Sequence, residues 1–259
     1  METKLKNSIG SSCNFAVDLT GQVAIVTGAA QGIGKAVADS LAESGASVMA
    51  MDQQPVSEEG ALAGPAKRLN QVTDISQPEE IKEAVNVCIQ KLGMPDILIH
   101  MAGISKPCRI ADMAPETWQH LIDVNLHPIY YLTHAVLPHM LERGRGCIVF
   151  CSSMIASTGG ESSAHYTAAK SGVEGFSRST AREVGPQGVR VNVVAPGMID
   201  TAMLNLMPVA QKEKLVGRIP LRRMGCPADM VGPVLFLVSD AGAYVTGQTI
   251  HANGGMFMT

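Results

Sequence analysis

Tyr166 and Lys170 stand four residues apart, a spacing that stacks a phenol and an ammonium on one face of a helix. A free phenol has a pKa of about 10, too high for proton exchange near neutrality, whereas a cation a few ångströms away favours phenolate and lowers that value by roughly 1–3 units. The pair is therefore a candidate general acid/base. Upstream, Ser153 offers a hydroxyl donor. Tyr-x-x-x-Lys is also a common accident of helix faces, so its chemistry depends on what the rest of the chain brings to it.

Residues Cys147 to Lys170 read as a buried strand, a loop carrying Ser153 and the start of a helix. Nearer the beginning, the apolar run Gln22 to Thr27 breaks into Gly28-Ala-Ala-Gln-Gly32-Ile-Gly34, followed by a helical pattern through Glu43. Strand, glycine turn and helix start together gather backbone N–H groups and the positive end of a helix dipole at one point, which suits a pyrophosphate. The next strand, Ser47 to Met51, ends in Asp52, where a carboxylate can accept hydrogen bonds from both hydroxyls of an adenosine ribose and repel a 2′-phosphate. Neither Gln31 nor Gln53 is basic, so the pattern favours NAD over NADP. Asp also commonly ends a strand for local reasons.

Residues 54 to 65 read as a loop, followed by a short strand ending near Val72. Ser76-Gln-Pro-Glu79 matches a capping box that opens a helix to about Leu92, and Asp96 to His100 is the next strand, turning at Met101-Ala102-Gly103. The pattern from Pro115 to Glu142 is helical with a kink at Pro128, near Asn125. A buried Asn there either satisfies a neighbouring backbone group or sits beside a freed carbonyl that holds water. Val189 to Ala195 forms a strand ending at Pro196-Gly197. Thr201 to Arg223 is Met- and Leu-rich and broken by prolines, which suits two short helices acting as a substrate lid, or ordinary core. A helix over 227–239 and a strand over 248–252 complete an α/β alternation, which predicts one doubly wound domain over 19–259 with a flexible extension over 1–18.

With 46% hydrophobic residues and 4% aromatics, the 259-residue chain predicts an aliphatic core. A net charge of −3 with interspersed signs gives no basic stripe for nucleic acid and no polybasic membrane anchor, leaving a small molecule as the expected partner. The six cysteines show neither C-x-x-C pairs nor Cys/His ligand spacing, so no metal site is expected and reduced thiols in a cytoplasmic protein are the simplest reading.

Taken in order, Thr27-Gly-Ala-Ala-Gln-Gly-Ile-Gly34, Asp52, Ala102-Gly103, Asn125, Ser153, Tyr166-x-x-x-Lys170 and Pro196-Gly197 resemble the short-chain dehydrogenase/reductase family, from about Leu19 to the end. Within it, Ala181-Arg-Glu-Val184 and the tail from Tyr244 to Met256 look most like 3-oxoacyl-[acyl-carrier-protein] reductases and sugar or polyol dehydrogenases. The resemblance implies a Rossmann-type seven-stranded parallel sheet, a nicotinamide cofactor and a homotetramer. It makes Tyr166 the acid/base, Lys170 the holder of the nicotinamide ribose, Ser153 a donor to the substrate oxygen and Asn125 the holder of a water. Thr27, Gly28, Gln31, Gly32, Ile33 and Gly34 would surround the pyrophosphate side of the cofactor, while Ile199 and Thr201, after Pro196, would meet the nicotinamide amide. Three departures stand out. His100-Met101 replaces the usual Asn-Asn, Gln71-Val72 stands where Asp-Val usually meets the adenine, and Gln31 occupies a glycine-turn position often basic in NADPH-preferring relatives.

The expected activity is NAD(H)-dependent interconversion of a secondary alcohol of sugar, polyol or hydroxy acid type with its ketone. The alternative is a 3-oxoacyl thioester reductase, with Arg143, Arg145 and Arg182 as possible contacts for an acidic carrier protein. A catalytically silent nucleotide-binding regulator is a third reading. Met154, Glu161, His165, Met198 and Leu204 join Ser153 and Tyr166 as candidate substrate contacts.

Overall fold

In the computed structural model, residues 17–57, 64–205 and 209–259 are described. The segments expected to be a flexible extension and part of the 54–65 loop lie largely outside them. Strand β1 (Val23–Thr27) leads into α1 (Gly32–Glu43), then β2 (Ser47–Asp52), β3 (Arg68–Val72), α2 (Pro78–Lys91) and β4 (Ile97–His100). Helices α3 (Pro115–Asn125) and α4 (His127–Glu142) precede β5 (Gly146–Cys151), the single-turn α5 (Ile155–Thr158) and α6 (Ala164–Val184). The chain closes with β6 (Val189–Pro196), α7 (Ala202–Asn205), α8 (Val209–Val216), α9 (Val231–Val238) and β7 (Thr249–Ala252).

The strands form one seven-stranded sheet in the order β3-β2-β1-β4-β5-β6-β7, with every pairing parallel. A strand flanked on both faces by helices has no polar face, and β1 and β4 are buried at every position. The edge strands β3 and β7 are only half-buried, with Val72 exposed. Alternate side chains feed two cores. Ile25, Met49, Leu98, Ile148 and Phe150 pack with residues of α2, α4 and α6, whereas Ala24, Val26, Ile99 and Val149 pack with residues of α1 and α9.

The expected kink resolves into a break. α3 stops at Asn125, Leu126 leaves helical geometry at φ −120°, and Pro128 stands in the first turn of α4, where its missing N–H costs nothing. The expected capping box at Ser76 does not form. Gln77 occupies the cap without a side-chain bond, while Glu80 accepts from the Asp74 amide at 2.8 Å and Asp74 from the Ser76 amide at 2.9 Å.

At the N-terminal end of the sheet, Asp96 accepts from the Val23 amide at 2.9 Å and pairs with Arg143 at 3.1 Å and Arg145 at 3.2 Å. Two of the three arginines offered as carrier-protein contacts, Arg143 and Arg145, thus pair with Asp96 at the end of the sheet opposite the strand termini that carry the candidate site. Of the described cysteines, all free, Cys88, Cys147 and Cys151 are buried, Cys108 is half-buried and Cys226 exposed. No described helix is long and apolar enough to cross a membrane.

Candidate active site

Parallel strands put all their C-terminal ends on one rim, and the order reverses between β1 and β4, which opens a crevice there. Gly28, with φ +71°, sits in that crevice so close to the 101–102 backbone that a Cβ would lie 2.7 Å from the Ala102 nitrogen. A Cβ on Gly34 would overlap the Gly28 carbonyl oxygen. Only glycine lets the turn close so that the first N–H groups of α1 face the crevice. Asp52, at the tip of β2, is fixed by the amides of Ala30 and Gln54, each 3.0 Å from a carboxylate oxygen. One groove gathers Gly28, Gln31, Gly32, Ile33 and Gly34 with Asp52, Gln53, Ala102, Gly103 and Thr201.

Beside this groove the proton-transfer residues converge. The Ser153 hydroxyl lies beside the Tyr166 phenol and acts to lower its pKa. Lys170 lies with Nζ 5.7 Å from the centre of the Tyr166 ring and donates to the Cys151 carbonyl at 2.9 Å. A Cβ on Gly103, a groove residue, would come within 3.4 Å of Lys170 Nζ and 2.6 Å of Asn125 Oδ1, which joins the two halves of the site.

A family model described as enoyl-(acyl carrier protein) reductase matches residues 28–257. The chain is 39% identical over 250 residues to the 3-oxoacyl-[acyl-carrier-protein] reductase FabG of Vibrio cholerae, covering 93% of this chain and 100% of that protein. The chain belongs to the short-chain dehydrogenase/reductase family. The Escherichia coli FabG is 38% identical over the same shares of the two chains. Among solved structures, a short-chain dehydrogenase/reductase described as a glucose/ribitol dehydrogenase from Brucella melitensis superposes with a TM-score of 0.85 at 30% identity, covering 94% of this chain and 99% of that one.

Members of the family are oxidoreductases that work with a nicotinamide cofactor, and the residues present fit one. The glycine cradle leaves room where a methyl would intrude, Asp52 presents carboxylate oxygens to the groove, and Lys170 stands at its inner end. Thr27 lies beneath the cradle rather than in it. Its hydroxyl bonds His100 Nδ1 at 2.7 Å and accepts from the Ala102 amide at 3.4 Å. His100 replaces the family's first Asn inside the sheet, and complete burial holds its imidazole neutral, with a pKa lowered to about 3.

In this dehydrogenase/reductase several sequence expectations need correcting. Burial pushes the Tyr166 phenol above its ordinary value, with a nearby Cys151 adding to the rise and the Ser153 hydroxyl opposing it. The expected depression by Lys170 does not appear, because the ammonium is turned to the Cys151 carbonyl and is itself lowered by burial. Asn125 is fully buried and clamps the post-β4 loop, accepting from the Ile104 amide at 3.2 Å and donating to the Ile104 and Leu121 carbonyls. Its side-chain amide is thus satisfied by neighbouring backbone groups.

Gln71 and Val72 do not line the groove. Thr73, Asp74 and Ile75 do, because they lie one step past the end of β3, as Gly28 does past β1. His165, expected at the substrate, is fully buried and donates through Nε2 to the Lys106 carbonyl at 3.1 Å. It fastens the loop after β4, as does the Cys108 amide bonded to the Ser162 carbonyl at 2.7 Å. Met198 and Ile199 face a second hollow shared with Pro220, His251 and Phe257, rather than the main groove. Met154 is tied through its amide to the Pro196 carbonyl at 3.0 Å, which sets both beside Ser153. Leu204, half-buried on α7, follows Thr201, while Glu161 is solvent-exposed. Met101, which replaces the family's second Asn, lines the groove, as do Ile104, His120 and Val124, which were not singled out from the sequence.

Proposed function

We propose that the protein is an NAD(H)-preferring oxidoreductase that interconverts a secondary alcohol, of sugar, polyol or hydroxy acid type, with its ketone. The observation that carries this reading is the electrostatics of the groove. Its described lining includes the carboxylates of Asp52 and Asp74 and no Lys or Arg. A ribose with two free hydroxyls finds acceptors there, whereas a 2′-phosphate finds only like charge.

When bound, the nicotinamide supplies the hydride acceptor or donor. The chain's own residues handle the proton. Tyr166 takes it from the alcohol oxygen or returns it to the ketone oxygen, and Ser153 donates a second hydrogen bond to that oxygen as negative charge develops on it. Lys170 would hold the nicotinamide ribose, its ammonium anchored at the β5 exit by the Cys151 carbonyl. The residues after Thr201, including α7 and α8, would close over the substrate as a lid.

The relatives' names favour a second reading, a 3-oxoacyl thioester reductase. The three arginines expected to meet a carrier protein give it no support. Arg143 and Arg145 are paired with Asp96, and Arg182 follows Tyr166 by sixteen residues along α6, about 24 Å of helix. Turnover of NAD with a polyol and hydroxy acid panel, set against NADPH with an acetoacetyl thioester, separates the two. Thioester turnover confined to NADPH overturns the first.

A cytoplasmic homotetramer belongs to the same proposal. It is supported by the exposed Tyr130 on α4, packed against Tyr131 and His134, and by the half-buried edge strand β7. Light scattering after gel filtration tests the assembly, and a monomer at micromolar concentration refutes it.

A further inference from the structure

The Tyr166–Lys170 stripe continues for one more turn. Glu174 is the next residue at the same four-residue interval, so phenol, ammonium and carboxylate form one row along α6. Facing that row is the exit of β5, and its three consecutive residues each engage one member. The Cys151 carbonyl accepts from Lys170 Nζ at 2.9 Å, the Ser152 hydroxyl donates to Glu174 Oε1 at 2.8 Å, and the Ser153 hydroxyl lies beside the Tyr166 phenol.

The Ser152–Glu174 contact is a built one. Ser152 is 2% exposed, and the Glu174 side chain is only 12% exposed. A carboxylate kept this far from water is retained where it has a partner to satisfy it. Among the described residues its ion pair is with Arg178, at 3.9 Å and more than half exposed, too loose to account for the burial. The Ser152 hydroxyl also lies 3.2 Å from the Lys170 carbonyl, so the same side chain touches the helix at the turn that carries the lysine.

We infer that Glu174 is a positioning residue for the reaction. Through Ser152 it fixes the β5 exit against α6, and so holds Ser153 in register with Tyr166. It touches neither substrate nor cofactor. The inference rests on the acid/base roles of Ser153 and Tyr166 proposed above, so its test includes a measurement that needs no turnover.

Glu174→Ala, Glu174→Gln, Ser152→Ala and Ser152→Ala/Glu174→Ala are compared with the wild type by hydrogen–deuterium exchange of the full-length protein. Exchange over residues 152–158 should rise about tenfold or more in Glu174→Ala, while β1 and β4 stay as in the wild type. Glu174→Gln, which keeps the acceptor oxygen, should restore wild-type protection. With NADH and acetoacetyl thioester or a keto-sugar as probes, Glu174→Ala should lose about tenfold or more in kcat with NADH affinity within about twofold. Glu174→Gln should stay within about threefold of the wild type. The double variant should be no worse than the poorer single one, because both remove the same bond.

Unchanged local exchange in Glu174→Ala, failure of Gln to rescue, or additive losses in the double variant would each overturn the brace. A rise in exchange throughout the molecule would do the same, since it marks a general stability role. A wild type with no turnover on any probe sinks the proposed reaction but leaves the exchange comparison to decide the brace.

Discussion

Replacing Asp52 with Asn tests the cofactor preference most directly. The side chain keeps its shape and one acceptor oxygen, but the charge next to the ribose site disappears. Asp52 is half-buried and held by two backbone amides, so its carboxylate does not swing away from an incoming phosphate. At roughly 5 Å and an effective dielectric of about 40, each unit of phosphate charge meets about 1.7 kcal/mol of repulsion. A phosphomonoester with about 1.5–2 charges therefore loses about 3 kcal/mol, before solvent access to the half-buried group reduces the effect. Asp52→Asn should shift the ratio of kcat/KM for NADH over NADPH towards NADPH by about 10–100-fold. Raising the ionic strength to about 0.5 M should shrink the wild-type ratio and leave that of the variant nearly constant, because screening acts only where the charge exists. Steady-state kinetics with both cofactors on one carbonyl substrate give the ratio, and thermal unfolding controls for the amide left without its acceptor. The reasoning fails if the wild type uses NADPH as well as NADH, or if Asp52→Asn leaves the ratio within twofold.

Tyr166→Phe should lower kcat by about 10²–10⁴ while NADH affinity, read by fluorescence titration, changes less than about threefold; retained turnover would remove Tyr166 from the chemistry. Because burial holds the phenol above its ordinary range and oxidation needs the deprotonated form, alcohol oxidation should accelerate as pH rises from 7 to 10, and a flat profile contradicts that role. His100 is neutral in the folded protein, its pKa lowered from 6.5 to about 3, whereas the unfolded chain takes up a proton below pH 6.5. Stability should thus fall as the medium is acidified, by about 2 kcal/mol between pH 7.5 and 5 from this residue alone. Urea unfolding of His100→Asn should show an acid limb shallower by that amount, and parallel limbs refute it. Gly34→Ala sets a methyl against the Gly28 carbonyl, so it should cost about 3 kcal/mol or more and abolish NADH binding in calorimetry; wild-type affinity in that variant would mean the turn has slack.

The parallel sheet and the residues of the cradle were legible because each rests on local pattern. An apolar run followed by glycines and a helical period reports a strand, a tight turn and a helix wherever it occurs, and Asp52 is fixed by its place after such a run. What the chain order hid was decided by approach through space. Arg143 and Arg145 read as possible contacts for an acidic carrier protein, yet both pair with Asp96. His165 read as a pocket residue because it adjoins Tyr166, yet a one-residue step along a helix turns the side chain about 100° away, into the interior. The adenine-side residues 73–75 were displaced by two positions because a strand end is easier to sense than the loop beyond it. Glu174 was within reach, since it extends the Tyr-Lys interval by one further turn; nothing in the sequence announced that its partner would be Ser152.

The Asp96–Arg143–Arg145 cluster stands at the foot of the sheet, while every reacting group stands at its crest. The foot of the sheet can therefore be altered at a distance from the reacting groups. Someone wishing to make a hardier catalyst has the lower pole to work on, where reinforced ionic contacts leave the crevice untouched. Someone seeking a new substrate can redraw the crest loops while the foot keeps the frame closed.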